Sequence, residues 1–191
     1  MNKGLIVVIS GPSGVGKGTI IDKFIDDPEL NLVYSVSMTT RKPRNGEIDG
    51  VNYNFVSRET FEEMIANNEL LEWAKFVGNY YGTSKKLVDN IINNGKNVIL
   101  EIEVEGTKQI MEKCPNAVSI FVTPPNLSEL KSRIEKRCTE TAEIIQERLE
   151  KAKKELCLQG DYKYAVCNDN PDLAADIIKL IILRNYQMIN K

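Results

Sequence analysis

Gly11, Pro12, Ser13, Gly14, Val15, Gly16, Lys17, Gly18 and Thr19 form the segment that most constrains this chain. The apolar residues 5–10 precede it and read as a buried strand, and the pattern of residues 17–25 predicts a helix. A glycine-rich turn between a strand and a helix lets backbone N–H groups converge on phosphate oxygens, with the positive end of the helix dipole behind them. Lys17 stands where an ammonium reaches the β- and γ-phosphates of a nucleotide. The chain is therefore expected to be built around a phosphate-binding loop.

Composition narrows the chemistry. There is no histidine among the 191 residues, which excludes a Ser-His-Asp triad, a Cys-His dyad and a His-based zinc site within this chain. Carboxylates, Lys, Arg, hydroxyls and thiols remain. None of Cys114, Cys138, Cys157 and Cys167 forms a Cys-x-x-Cys pair, so they read as reduced thiols. A net charge of -2 argues against a general nucleic-acid surface, and no apolar run approaches the ~20 residues of a membrane span. No secretory leader is legible, so a cytoplasmic location is expected.

Apolar and amphipathic runs alternate, as in an α/β domain with a mostly parallel sheet flanked by helices. Further strands are expected at 97–104, 117–123 and 164–167, and helices at 105–113, 126–137, 141–158 and 172–188. One domain is expected, with a core of about 1–33, 84–135 and 160–191. Residues 34–83 differ, with short β-like pieces at 34–38, 53–56 and 70–77, a helix at 58–68 and a basic loop carrying Arg41, Lys42 and Arg44. They read as an inserted subdomain, and 136–159 as a lid. Planar guanidinium groups suit bidentate phosphate recognition, and Tyr53, Tyr80 and Tyr81 add hydroxyls.

Ser37-x-Thr-Thr-Arg41-x-Pro-Arg44, then Gly46-Glu47-x-Asp49-Gly50-x-x-Tyr53, then Gly78-Asn-Tyr-Tyr-Gly82 resemble guanylate kinase. The phosphate loop and Asn168-Asp169 fit the same family, and the resemblance spans nearly the whole chain. It implies a P-loop core, a mixed α/β GMP-binding insert, a small lid, and transfer of a phosphoryl group from MgATP to GMP. The strict loop pattern has Ser or Thr directly after the Lys; here Gly18 intervenes before Thr19. In nucleoside monophosphate kinases, which share that variant, magnesium is held largely by phosphates and water.

The resemblance further implies that Ser37, Arg41, Arg44, Tyr53 and Tyr81 hold the GMP phosphate and that Glu72, Thr83 and Glu101 read the guanine. Guanine presents N1–H and an amino group side by side, and a carboxylate is a two-pronged acceptor, so Glu72 or Glu101 favours guanine over adenine. Arg133, Arg137 and Arg148 are implied to close over the transferred phosphoryl group, and Asn168 to lie near the ATP adenine or ribose. If 97–104 is one strand, Glu101 and Glu103 share a face near its end, where magnesium, Lys17 or guanine answers their charge. Glu103 and Glu105 stand where the family more usually has Asp and Gln, and Lys136 and Cys138 stand where its lid has glycines, so a stiffer lid is expected. Two other readings use the same frame: a protein-binding module that has lost catalysis, and a kinase for a sugar phosphate.

Overall fold

The computed structural model describes residues 3–137 and 142–191, with the backbone alone for Arg137 and Ala142. The order is β1 (Ile6–Ser10), α1 (Lys17–Ile21), β2 (Leu32–Tyr34), β3 (Met38–Thr39), β4 (Asn54–Phe55), α2 (Arg58–Ala66), β5 (Leu70–Phe76) and β6 (Asn79–Ser84). Then come α3 (Lys85–Asn93), β7 (Asn97–Glu101), α4 (Val104–Lys113), β8 (Val118–Thr123), α5 (Leu127–Arg137), α6 (Ala142–Leu156), a short 3-10 turn, β9 (Tyr164–Cys167) and α7 (Pro171–Ile189).

A five-stranded sheet runs β2-β7-β1-β8-β9, and every neighbouring pair in it is parallel. Its residues alternate between two buried layers, as pleating requires. Val7, Ile9, Ile99 and Ile120 join α1, α5, α6 and α7 on one face, where Ile20, Leu130, Leu149 and Ile178 are buried. Val8, Val98 and Leu100 face Val88 and Ile92 of α3 and Ile110 of α4 on the other. Both faces are covered, which is why these strands read as continuous apolar runs.

A second, four-stranded sheet, β4-β3-β6-β5, is built from residues between Met38 and Ser84. Its small core centres on Phe61, Met38 and Leu70. Tyr80 stacks on Phe61 at 5.3 Å and meets Trp73 edge-on at 5.7 Å. The chain returns to the main sheet through α3, whose cap is Ser84: its hydroxyl accepts from Leu87 N at 3.4 Å.

Several local expectations are corrected. The piece at 34–38 is split, since β2 ends the five-stranded sheet at Tyr34 while Met38 begins β3 of the other. The helix expected at 17–25 is regular only to Ile21 and continues as tighter turns, with Phe24 N bonding to Ile21 O. Residues 79–84 form a full strand, and α3, which no expectation covered, fills 85–93. The strand expected at 97–104 stops at Glu101. Glu103 is the N-cap of α4, its carbonyl accepting from Thr107 N at 3.0 Å, so it does not share a strand face with Glu101. Glu105 lies in the first turn of α4, where an anion is favourable. The lid expectation for Cys138 falls outside the described residues, as does the side chain of Arg137.

Candidate active site

The phosphate loop leaves the middle strand of the five-stranded sheet, between β7 and β8. Two glycines explain its path. A Cβ at Gly11 (φ +143°) would lie 2.4 Å from the Val122 carbonyl oxygen, so only glycine lets the loop press against β8. Gly16 caps α1 with φ +95°, and a Cβ there would lie 2.7 Å from Asn168 Nδ2. Asn168 is buried and donates from Nδ2 to the Val15 carbonyl at 2.7 Å. It thus braces the loop from the end of β9.

Lys17 Nζ donates to the Gly11 carbonyl at 2.7 Å and to Pro12 O at 3.4 Å. Its ammonium is held below the usual lysine range, first by burial, with Glu101 pulling the other way. The loop is also reached from α5 and α6. Arg148 Nη2 donates to Ser13 Oγ at 2.7 Å. Arg133 donates from Nη1 to the Asn168 carbonyl at 3.1 Å and from Nε to Glu129 at 3.0 Å. Gly14, Gly16, Thr19, Arg133, Lys136 and Asn168 line a cavity of about 310 Å³ beside the loop.

Glu101 stands at the junction with the second sheet. Its Oε2 accepts from Tyr34 OH at 3.0 Å and lies 3.9 Å from where a Cβ on Gly18 would be. Burial, then Glu101, pushes the Tyr34 phenol up from its ordinary value. Glu101 therefore faces Lys17 and the start of α1. Glu72 and Thr83 are opposite each other on β5 and β6, and the Thr83 hydroxyl donates to Glu72 Oε1 at 2.6 Å. Glu72 is 5% exposed, and burial raises its carboxyl above the ordinary range.

The proposed phosphate group is brought together in part. Arg41 lies over the Tyr53 ring at 5.3 Å, and Tyr53 meets Tyr81 edge-on at 6.0 Å. Ser37 precedes β3, its carbonyl accepting from Asn54 N at 2.9 Å, and Arg44 is exposed on the loop after Arg41.

A guanylate kinase family model matches residues 3–185. The chain belongs to the guanylate kinase family. It is 51% identical over 189 residues to the guanylate kinase of Lactococcus lactis, covering 99% of this chain and 92% of that one. It is 52% identical over 184 residues to a Bacillus cereus guanylate kinase, covering 96% and 90%. The crystal structure of guanylate kinase from Anaplasma phagocytophilum superposes with a TM-score of 0.74 at 34% identity, covering 98% of this chain and 88% of that one.

On this guanylate kinase frame three residues matter that sequence reasoning gave no role. Tyr34 holds Glu101. Gly106 lets α4 pass beside Glu72, since a Cβ there would lie 2.7 Å from Glu72 Oε2. Glu47 binds Arg41 through both carboxylate oxygens, at 2.8 and 2.9 Å. The opposite charges of Glu47 and Arg41 were the available signal, but nothing in their spacing singles out that pair. Glu103 Oε2 accepts from Lys151 Nζ of α6 at 2.7 Å, and its charge also acts on Lys17.

Proposed function

We propose that the phosphate loop holds MgATP while the four-stranded sheet presents GMP, or dGMP, for transfer of the γ-phosphoryl group, giving ADP and GDP for purine nucleotide recycling. The carrying observation is the buried Glu72–Thr83 pair on the four-stranded sheet. Glu72 offers an acceptor-only edge to guanine N1–H and N2–H, while adenine would set its N1 acceptor against it. Glu101 is the second carboxylate of this reading, at the boundary between the two substrates.

Arg41, Arg44, Ser37, Tyr53 and Tyr81 take the acceptor phosphate. One of its oxygens, already ionised, attacks the γ-phosphorus as the bond to the ADP oxygen breaks, so no general base is required. Lys17 exchanges its loop carbonyls for phosphate oxygens, and the loop N–H groups hold the β-phosphate. Arg133, Arg137 and Arg148 compensate charge spreading over the equatorial oxygens. Arg148 already contacts Ser13, which supports a place for it at the donor phosphates.

Among the described residues no group of three or more Cys, Asp or Glu is placed to hold a metal ion. With Gly18 in the ligand position, magnesium would be held chiefly by phosphate oxygens and water, with Glu103 as an outer partner. When bound, the ion would supply positive charge that offsets the charge of the transferring phosphates.

No helix among the described residues is long and apolar enough to cross a membrane; the reaction proposed is one on free nucleotides, placed in the cytoplasm. The test is ADP release with MgATP and each of GMP, AMP, CMP and UMP. Release with GMP alone is expected. Nucleotide binding without release would favour the protein-binding module, and transfer to a sugar phosphate the third reading.

A further inference from the structure

We propose that Glu47 is the positioning residue of the acceptor phosphate site, fixing which edge of Arg41 faces the substrate. This rests on the reading that Arg41 takes the GMP phosphate. A guanidinium has five N–H donors. Arg41 Nη1 and Nη2 each give one to Glu47, at 2.9 and 2.8 Å, and Nη1 gives its second to the Lys42 carbonyl at 2.8 Å. The Tyr81 hydroxyl also interacts with the Arg41 side chain; Nε–H and the outer N–H of Nη2 are the donors not given to Glu47 or Lys42. They lie on one edge and form the side-on fork, which matches two oxygens of a phosphate.

The arrangement also restricts rotation. The Arg41 guanidinium sits over Tyr53 at 5.3 Å and over Phe55 at 5.8 Å, and it is 15% exposed against 18% for Glu47. Turning the fork would break two charge-assisted bonds and uncover two rings. The same carboxylate ties down the next arginine. Glu47 Oε2 accepts from Arg44 N at 2.7 Å, while Glu47 N donates to Arg44 O at 3.1 Å. Glu47 thus closes the loop between the two arginines and fixes where the Arg44 side chain leaves it.

A carboxylate on an arginine fork has a second physical meaning, that of a stand-in for phosphate which substrate must displace. The two meanings predict opposite signs. As a positioning residue, Glu47 strengthens GMP binding; as a competitor, it weakens it. Glu47→Gln keeps the shape, removes the charge and turns an amide N–H₂ toward Arg41.

The experiment measures GMP, guanosine and ATP affinity by calorimetry for the wild type, Glu47→Gln, Arg41→Ala and the double variant. Glu47→Gln is expected to weaken GMP about tenfold and to leave guanosine and ATP within about twofold, because only the phosphate contact is mispositioned. On the Arg41→Ala background its effect should fall well below tenfold, leaving only the part that runs through Arg44. Unchanged or tighter GMP binding by Glu47→Gln overturns the proposal, and so does a parallel loss of guanosine, which would mark a collapse of the insert. If Arg41→Ala itself leaves GMP affinity unchanged, the phosphate-site reading fails instead. Unaltered ATP binding serves as the folding control in each case.

Discussion

The two halves of the site hold their groups by different means. In the half proposed to take the ATP phosphates the main chain does most of the holding. The loop is pressed on Val122 by Gly11, capped at Gly16 and braced by Asn168, and it springs from a strand whose Val7, Val8 and Ile9 are wholly buried. In the half proposed to take GMP the side chains hold one another: Glu47 bonds Arg41, Thr83 bonds Glu72, and the rings of Tyr53 and Tyr81 meet edge-on. A backbone cradle is set by the fold of the core. A cradle of side chains depends on each partner in turn, and single substitutions should reach further across it.

The largest expected effect sharpens this contrast. Lys17→Ala should lower kcat by about 10²–10³-fold or more, with the KM for GMP within about twofold. Lys17 is bound only to loop carbonyls and burial already disfavours its charge, so the melting temperature should not fall. Steady-state kinetics with a melting curve check both points. A change mainly in GMP KM would show that the halves are not separable.

Next in size is Glu72→Gln, which should lower kcat/KM for GMP by about 10²-fold and narrow the preference over AMP. Gly106→Ala should do part of the same, because its Cβ would meet Glu72 Oε2 at 2.7 Å. Rates with GMP and AMP for both variants test this. An intact preference in Glu72→Gln would move the reading of guanine to Glu101.

The contrast also explains what the sequence made legible. The phosphate loop could be read because Gly11, Gly14 and Gly16 each answer a local backbone need and its strand is an unbroken apolar run. The same holds for β8 and β9, and for α5, α6 and α7 to within a residue or two. Residues 79–84 escaped because polar Asn, Thr and Ser sit in a small sheet whose core is only Phe61, Met38 and Leu70. Helix α3 is short, and its signal was a Ser84 cap with Val88 and Ile92 one turn apart amid Lys and Asn. The Glu103 error arose because a helix start beginning in extended backbone continues the strand's alternation by one or two residues. Glu47 could not be assigned because an ion pair depends on loop geometry, to which composition is blind.

A pH series separates two carboxylates of the side-chain half. Burial raises Glu72, so it loses its charge at a higher pH than an ordinary glutamate. Arg41, then the Arg44 N–H, holds Glu47 down at about 2. As pH falls, Glu72 protonates before an ordinary glutamate does, so the KM for GMP should rise while Glu47 stays ionised, and Glu72→Gln should flatten that rise. The stability signs are opposite. Glu72 favours the fold when protonated, so its contribution declines as pH rises from 4.5 through its raised value. Glu47 contributes fully above 4.5 and is lost as pH falls toward 2. Melting temperatures of the wild type and the two glutamine variants across pH measure each sign.

The smallest expected effect lies where α6 meets the core. Lys151 binds Glu103 at 2.7 Å, but the two side chains are 55% and 71% exposed. Such a pair contributes less than about 1 kcal/mol, so Lys151→Ala should barely move the melting temperature. Its value is in what it frees. If Glu103 is only an outer partner of magnesium, releasing it should shift the magnesium dependence of the rate by no more than about twofold, because phosphates and water dominate the ion's surroundings. A tenfold shift in that dependence, matched in the opposite direction by Glu103→Gln, would place Glu103 directly on the ion. The donor half would then also rest on a side chain, and the difference between the two halves would be one of degree.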